Sequence, residues 1–221
     1  MRRINILFLT IGILSDIEEH SLYSDLLRSL RDRGHKVYFA TPCSDKDNTT
    51  EFKTVNGVNI LRIKTPKIRS VPNLIAKGIS TLLVEPLFIK DIKKYFNNVK
   101  FDLVLYSTPP ITFCNAVNYV KRRDNAKTYL ALKDIFPQNA VDLQMLSKCG
   151  IKGLIYKYFC LKEKKLYQIS DKIGCMSKAN ADYILKNNPQ VSPTKVEIFP
   201  NCIDIVDMRI ENVEKQKIRE E

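Results

Sequence analysis

At 221 residues the chain can bury one sizeable core or two small domains, and its content (44% hydrophobic, 27% charged, no repeats) is that of a globular protein. A formal net charge of +12 invites an anionic partner, whether nucleic acid, a membrane surface or a phosphate-bearing substrate, although many solvated lysines would give the same number. The six cysteines lie far apart, without a C-x-x-C and with only two histidines to join them, which argues against a structural zinc site and for reduced thiols in a cytosolic compartment.

The N-terminal "MRRINILFLTIGILS" has the charge and apolar stretch of a signal peptide, but it lacks a small-residue cleavage site and is interrupted by Asn5 and Thr10. It predicts a buried strand at 4–10. Leu22, Leu26, Leu27 and Leu30 then fall on one face of a helix within 20–34, with Gly34 placed to cap its end. "KVYFAT" (36–41) is a second strand, and 55–65 is a short extended segment entered through an Asn-Gly turn. A long helical region over 71–98 is expected to break near Pro86. Next come a strand at 101–107, a helix from Ile111 to Arg123 and a strand at 127–133. Helices at 138–147 and 152–169, a strand at 171–177, a helix from Lys178 to Asn187 and a last strand at 195–200 complete the chain. No apolar segment reaches the length of a membrane span.

Strands such as "INILFL" and "LVLYS" are apolar at nearly every position, as in strands covered on both sides. The expected fold class is therefore α/β, a Rossmann-like parallel sheet with helices on both faces. In such sheets ligands sit beyond the carboxyl ends of the strands. That rule selects Thr10–Asp16, Thr41–Cys43, Ser107–Thr112, Lys133–Gln138, Ser177–Asn180 and Asn201.

The loop after the first strand has one glycine, Gly12, so neither a G-x-G-x-x-G dinucleotide fingerprint nor a P-loop is present. Ser15 and Asp16 also fit a polar turn, and His20–Ser21 a helix N-terminus. In "YSTPPIT" (106–112), Pro110 suits a first helical turn, and Ser107 and Thr108 would then offer hydroxyls where free N–H groups favour anionic or hydroxyl-rich ligands. Lys133 and Asp134 repeat the arrangement before Pro137, though a solvated lysine and a turn aspartate would look the same.

"LYSDLLRSLRDRGHKVYFATP", "STPPIT", "LKDIFPQNAVDLQML" and "EIFPNCID" resemble the N-terminal, acceptor-binding domain of GT-B glycosyltransferases. The resemblance is to the large retaining family four, and within it to bacterial surface-polysaccharide enzymes including the fucosamine-transferase-like branch. It runs over about residues 3–205, and its most specific part is "KDIFPQNAVDLQML" combined with "STPPIT". Residues 1–204 would be one half of a GT-B fold and 205–221 a charged interdomain linker. The donor domain, with its paired glutamates, is not among these 221 residues, so this chain alone is expected to be inactive.

The resemblance implies a nucleotide-sugar donor, an undecaprenyl-diphosphate-linked acceptor and transfer with retention, without metal or cofactor. Asp134 and His20 are the candidate catalytic residues. Ser15, Asp16, Ser107, Thr108, Thr112, Lys133, Gln138, Ser177 and Asn201 are the candidate substrate-binding residues. A lipid-linked acceptor implies a peripheral enzyme at the cytoplasmic face of the plasma membrane, in capsule or O-antigen synthesis. The lysines and apolar residues of 64–96 would meet that anionic surface, unless they are simply the two faces of a core helix. A non-catalytic, flavodoxin-like nucleotide-binding or regulatory module is the alternative. A nucleic-acid binder lacks the expected motifs and interleaved surface aromatics.

Overall fold

The apolar runs become the strands of a single sheet, and the helix-period segments between them cover it. In chain order the elements are β1 (Asn5–Leu9), α1 (Leu22–Asp32), β2 (Lys36–Pro42), β3 (Glu51–Val55), β4 (Val58–Ile63), α2 (Leu74–Tyr95) and β5 (Leu103–Ser107). After these come α3 (Cys114–Asp124), β6 (Lys127–Leu132), α4 (Gln138–Asp142), α5 (Gly150–Ile169), β7 (Lys172–Cys175), α6 (Lys178–Asn187) and β8 (Val196–Ile198). The structure, a computed structural model, describes residues 2–14, 16–44, 49–66 and 74–201, with backbone alone at 74–82 and 151.

The strand order is β3-β4-β2-β1-β5-β6-β7-β8, parallel throughout except for the antiparallel β3–β4 pair. The order reverses direction at β1, which pairs with β2 on one side and β5 on the other. That makes the carboxyl ends of β1 and β5 the topological switch point, where open α/β sheets leave a crevice.

Side-chain alternation sorts the core into two layers. Ile6, Phe8, Phe39, Ile60 and Leu105 face α1, which contributes Leu27. Leu7, Leu9, Leu61, Val104 and Leu130 face the opposite way, against α2, α3, α5 and α6. The second layer is the thicker. Phe88 of α2 meets Phe113 at 4.8 Å between ring centroids, and both are fully buried. Each such ring contributes about 1.5–3 kcal/mol relative to exposure. The expected α/β class with helices on both faces is what forms.

Three sequence expectations change, and one strand is added. Asn56 and Gly57, both at positive φ (46° and 80°), make the expected turn into an extended segment, β4, and the same turn closes a hairpin with β3. β3 is "EFKTV", an exposed edge strand with too little apolar alternation to register in sequence. Pro86 does not break α2, which runs continuously from Leu74 to Tyr95. The proline is exposed, it removes one backbone hydrogen bond, and buried Val84, Phe88 and Ile92 hold the helix in place. The helix expected at 138–147 stops at Asp142, with Gln144 at φ 57°. α3 begins at Cys114, so Pro110 lies before its first turn.

α1 forms as its sequence dictates. Ser21 and Ser24 make a reciprocal capping box at its start. Gly34, at φ 88°, follows its end and donates its N–H to the Arg31 carbonyl at 2.8 Å.

Candidate functional site

At the switch point the strand ends are stitched together by hydroxyls. The Ser107 Oγ donates to Thr10 Oγ1 at 3.0 Å, and the Tyr23 hydroxyl lies 3.2 Å from the same Ser107 Oγ. Thr10 Oγ1 also accepts the Gly12 N–H at 3.0 Å, while Thr41 donates to the Gly12 carbonyl at 2.7 Å. β1, β2, β5 and the first turn of α1 are thereby tied to one polar cluster. The loop can pass so close to the helix only because residue 12 is glycine, since a Cβ there would lie 2.4 Å from Tyr23 Cε2.

Thr108 extends the cluster to β6. Its Oγ1 accepts the Lys133 N–H at 3.0 Å and the Asp134 N–H at 3.3 Å, and it lies 3.3 Å from the Asp134 carbonyl as donor. Lys133 then stands with its Nζ 4.1 Å from the Tyr23 ring centroid. Burial lowers the pKa of Lys133, opposed by the neighbouring Tyr23 and Asp134. The charge is thus poorly solvated at a site where an anion would stabilise it. Asp134 is exposed beside it. A cavity of about 220 Å³ opens next to Lys133, between Phe8, Ala131, the α1 residues Leu22, Tyr23 and Leu26, and the segment from Phe199 to Asn201.

The structure therefore brings together Ser107, Thr108, Lys133 and Asp134, with Asn201 on the cavity wall. Ser107 and Thr108 are buried and bonded to the protein. They do not sit at a helix N-terminus as the sequence suggested. The first N–H groups of α3 are taken by the Glu85 carboxylate of α2, which accepts from Ala116 N at 3.0 Å, from Asn115 N, and from Asn115 Nδ2 at 3.0 Å. The other candidates are dispersed. Thr112 is 2% exposed and its hydroxyl has no hydrogen-bond partner among the described residues. Gln138 is bonded to Asp142 at 2.7 Å, and Ser177 caps α6 through the Asn180 N–H. Asp16 Oδ1 accepts the Glu18 N–H at 3.1 Å in an exposed turn. His20, half exposed, has its Nδ1 3.2 Å from Arg28 Nη2 and 3.3 Å from Asp25 Oδ1 at the start of α1. Ser15 lies outside the described residues.

Tyr23 is the member of the cluster that lay outside the strand-end ranges selected from the sequence. The available signal was positional: a helix following a strand starts at that strand's carboxyl end, so a tyrosine in its first turn faces the site. Among the described residues, no group of three or more His, Cys, Asp or Glu side chains could hold a metal ion. Cys43, Cys114 and Cys175 are buried, and burial pushes the Cys114 and Cys175 thiols up to about 11, leaving them unreactive at neutral pH. No helix among the described residues is long and apolar enough to cross a membrane.

A mostly parallel sheet with helices on both faces and a polar cluster at its switch point defines a Rossmann-like α/β domain. The match to Glycosyltransferase Family 4 spans residues 22–207, so the chain belongs to that family, and its domain is one half of a GT-B fold. A comparison with curated protein sequences finds no match. Solved structures of the same fold include sucrose-phosphate synthase from Thermosynechococcus elongatus, with 12% identity and a TM-score of 0.62 over 90% of this chain and 48% of that one. The catalytic domain of starch synthase IV from Arabidopsis thaliana, bound to ADP and acarbose, gives 11% and 0.60 over 92% and 52%. Apo UGT2 of Phytolacca americana gives 10% and 0.52 over 97% and 54%. The chain spans about half the length of these three proteins.

Proposed function

We propose that this domain is the acceptor-binding half of a retaining glycosyltransferase. The whole enzyme transfers a sugar from a nucleotide-sugar to a saccharide carried on a lipid diphosphate of the undecaprenyl type. Capsule or O-antigen synthesis at the cytoplasmic face of the membrane is the setting, and an aminosugar is the sugar its sequence resemblance favours. The observation that carries this is the pairing of Lys133 with Asp134 at the switch point, held there by Thr108. A cation that burial has stripped of part of its hydration gains from a phosphate more than an exposed lysine would. The exposed Asp134 carboxylate beside it accepts a hydrogen bond from the acceptor hydroxyl and so orients it for attack. His20, anchored by Asp25 and Arg28, is the other candidate group at this edge.

Residues 1–204 form this half, residues 205–221 lead toward a donor domain, and the nucleotide-sugar is held mainly by that second domain. Titration calorimetry of the 221-residue chain with UDP- and GDP-sugars tests the division of labour. At most millimolar binding is expected, about −4 kcal/mol. Micromolar affinity in this chain would overturn it. In the longer protein that carries both halves, Asp134→Asn should remove most of the turnover while the melting temperature stays put. Unaltered turnover with a large loss of stability would make Asp134 a turn residue.

A further inference from the structure

α5 is apolar on two faces. One face belongs to the core, with Leu166 and Tyr167 buried and Phe159 packed against Phe136. The other points outward, yet Leu154 is 67% exposed and Leu161 68%, with Tyr158 between them at 39%. These three sit at i, i+4 and i+7, one stripe along the helix. Ile155 widens it, and Leu143 (69%) and Met145 (51%) are likewise exposed in the segment that links α4 to α5. Isolated exposed leucines are unremarkable; four large apolar side chains on the outward side of one helix mark an interaction surface.

The charges around the stripe are nearly all of one sign. Residues 143–165 contain six lysines against a single carboxylate, Glu163. By helical spacing Lys157 and Lys164 flank the stripe on one side and Lys162 on the other, while Lys165 continues the line of the stripe beyond Leu161 and donates to Asn115 Oδ1 at 3.2 Å. Lys162 lies 5.5 Å from the Tyr158 ring centroid, its stem alongside the apolar surface. Glu163 faces inward and accepts the Tyr167 hydroxyl at 2.8 Å; burial pushes its pKa up to about 7, so it is only partly ionised at neutral pH and stands against six lysines.

We propose that the outer face of α5, with Leu143 and Met145, is a docking surface for an anionic lipid bilayer. Apolar side chains at its centre enter the headgroup boundary, and the flanking lysines meet anionic headgroups. A protein partner of ordinary composition would not need a one-signed frame of lysines. The location fits: α5 starts at the carboxyl edge of the sheet, shortly after the Lys133–Asp134 loop, so a docked bilayer lies beside the candidate site. The segment 64–96 is a weaker candidate. Residues 67–73 and the side chains of 74–82 lie outside the described residues. Val84, Phe88, Ile92 and Phe96 are buried, leaving Leu83 as the large exposed hydrophobic of the described part.

This inference deepens the lipid-linked acceptor reading and rests on it for its biological sense, but its test needs no sugar. The 221-residue chain is floated with phosphatidylcholine vesicles, with and without phosphatidylglycerol, at low and high salt. Binding is expected to anionic vesicles at low salt and to be weakened by salt. Leu154→Ser/Leu161→Ser and Lys157→Glu/Lys164→Glu should each weaken it at least about tenfold. These side chains are solvent-facing, so far-UV circular dichroism and melting temperature should be unchanged. Equal binding to neutral and anionic vesicles, no binding at low salt, or α5 variants that float like the parent would overturn the proposal. So would a dimer of the parent chain that Leu154→Ser/Leu161→Ser dissociates, since the stripe would then be a protein contact. Failed sugar transfer with intact flotation counts against the proposed function alone.

Discussion

Replacing Thr108 by valine exchanges one oxygen for a methyl group of nearly the same size, at a residue 1% exposed. The volume is kept and the loop staple is lost. Two backbone donors, Lys133 N–H and Asp134 N–H, lose their acceptor, and one bond to the Asp134 carbonyl goes with them. A buried donor left without a partner costs about 1–3 kcal/mol. Asp134 is exposed and Lys133 half-buried, so water can take over the outer donor and the full penalty falls on one N–H. The net loss should be about 2 kcal/mol, a fall of about 4–8 °C in melting temperature for a chain of this size. Thr108→Ser keeps the oxygen and removes one methyl, a loss of about 1 kcal/mol. Thermal unfolding by circular dichroism gives the order of the variants, and amide exchange at Lys133 and Asp134 reports the loop itself. Exchange should quicken at both in the valine variant and little in the serine variant. A valine variant as stable as the parent, with unchanged exchange at these two amides, would refute the view that Thr108 fixes the Lys133–Asp134 loop.

Glu85→Ala should lower stability by about 2 kcal/mol in urea unfolding, because the fully buried Ala116 N–H loses its acceptor, while Glu85→Gln, which keeps one, should lose less than half as much. Gly12→Ala should destabilise by about 1–3 kcal/mol by driving its Cβ into the Tyr23 ring, and the same change in a Tyr23→Ala background should have little effect, a coupling read from the double-mutant cycle. Glu163 is a carboxyl whose folded pKa, about 7, lies above the ordinary value of 4.5. The folded state therefore binds its proton more tightly than the unfolded one, and stability should decline as pH rises from about 4.5 through 7. Glu163→Gln should flatten that part of a melting-temperature profile against pH, and an unchanged profile would contradict the assignment.

The sequence by itself determined the sheet and the edge at which its polar strand-end residues gather. Apolar runs such as "LVLYS" could be satisfied only by cover on both faces, and the alternation of strands with helix-period segments made the sheet parallel. Ser107, Thr108, Lys133 and Asp134 followed from their place at strand ends, and Gly34 and the Asn56–Gly57 turn from backbone conformations that few residues adopt. Those signals are local: each lies in a few neighbouring residues and survives without knowledge of the partner. Tertiary structure decided the pairings between distant positions. Ser107 finds Thr10 across 97 residues, and Glu85 caps α3 from 30 residues away, so no local motif could show that the helix N-terminus was already occupied. Pro86 is tolerated because the buried residues around it hold α2 against the sheet. Periodicity likewise marked the leucines of α5 as apolar without saying which of them had neighbours. Burial depends on what packs opposite, and only the assembled layers left Leu154 and Leu161 facing outward among lysines.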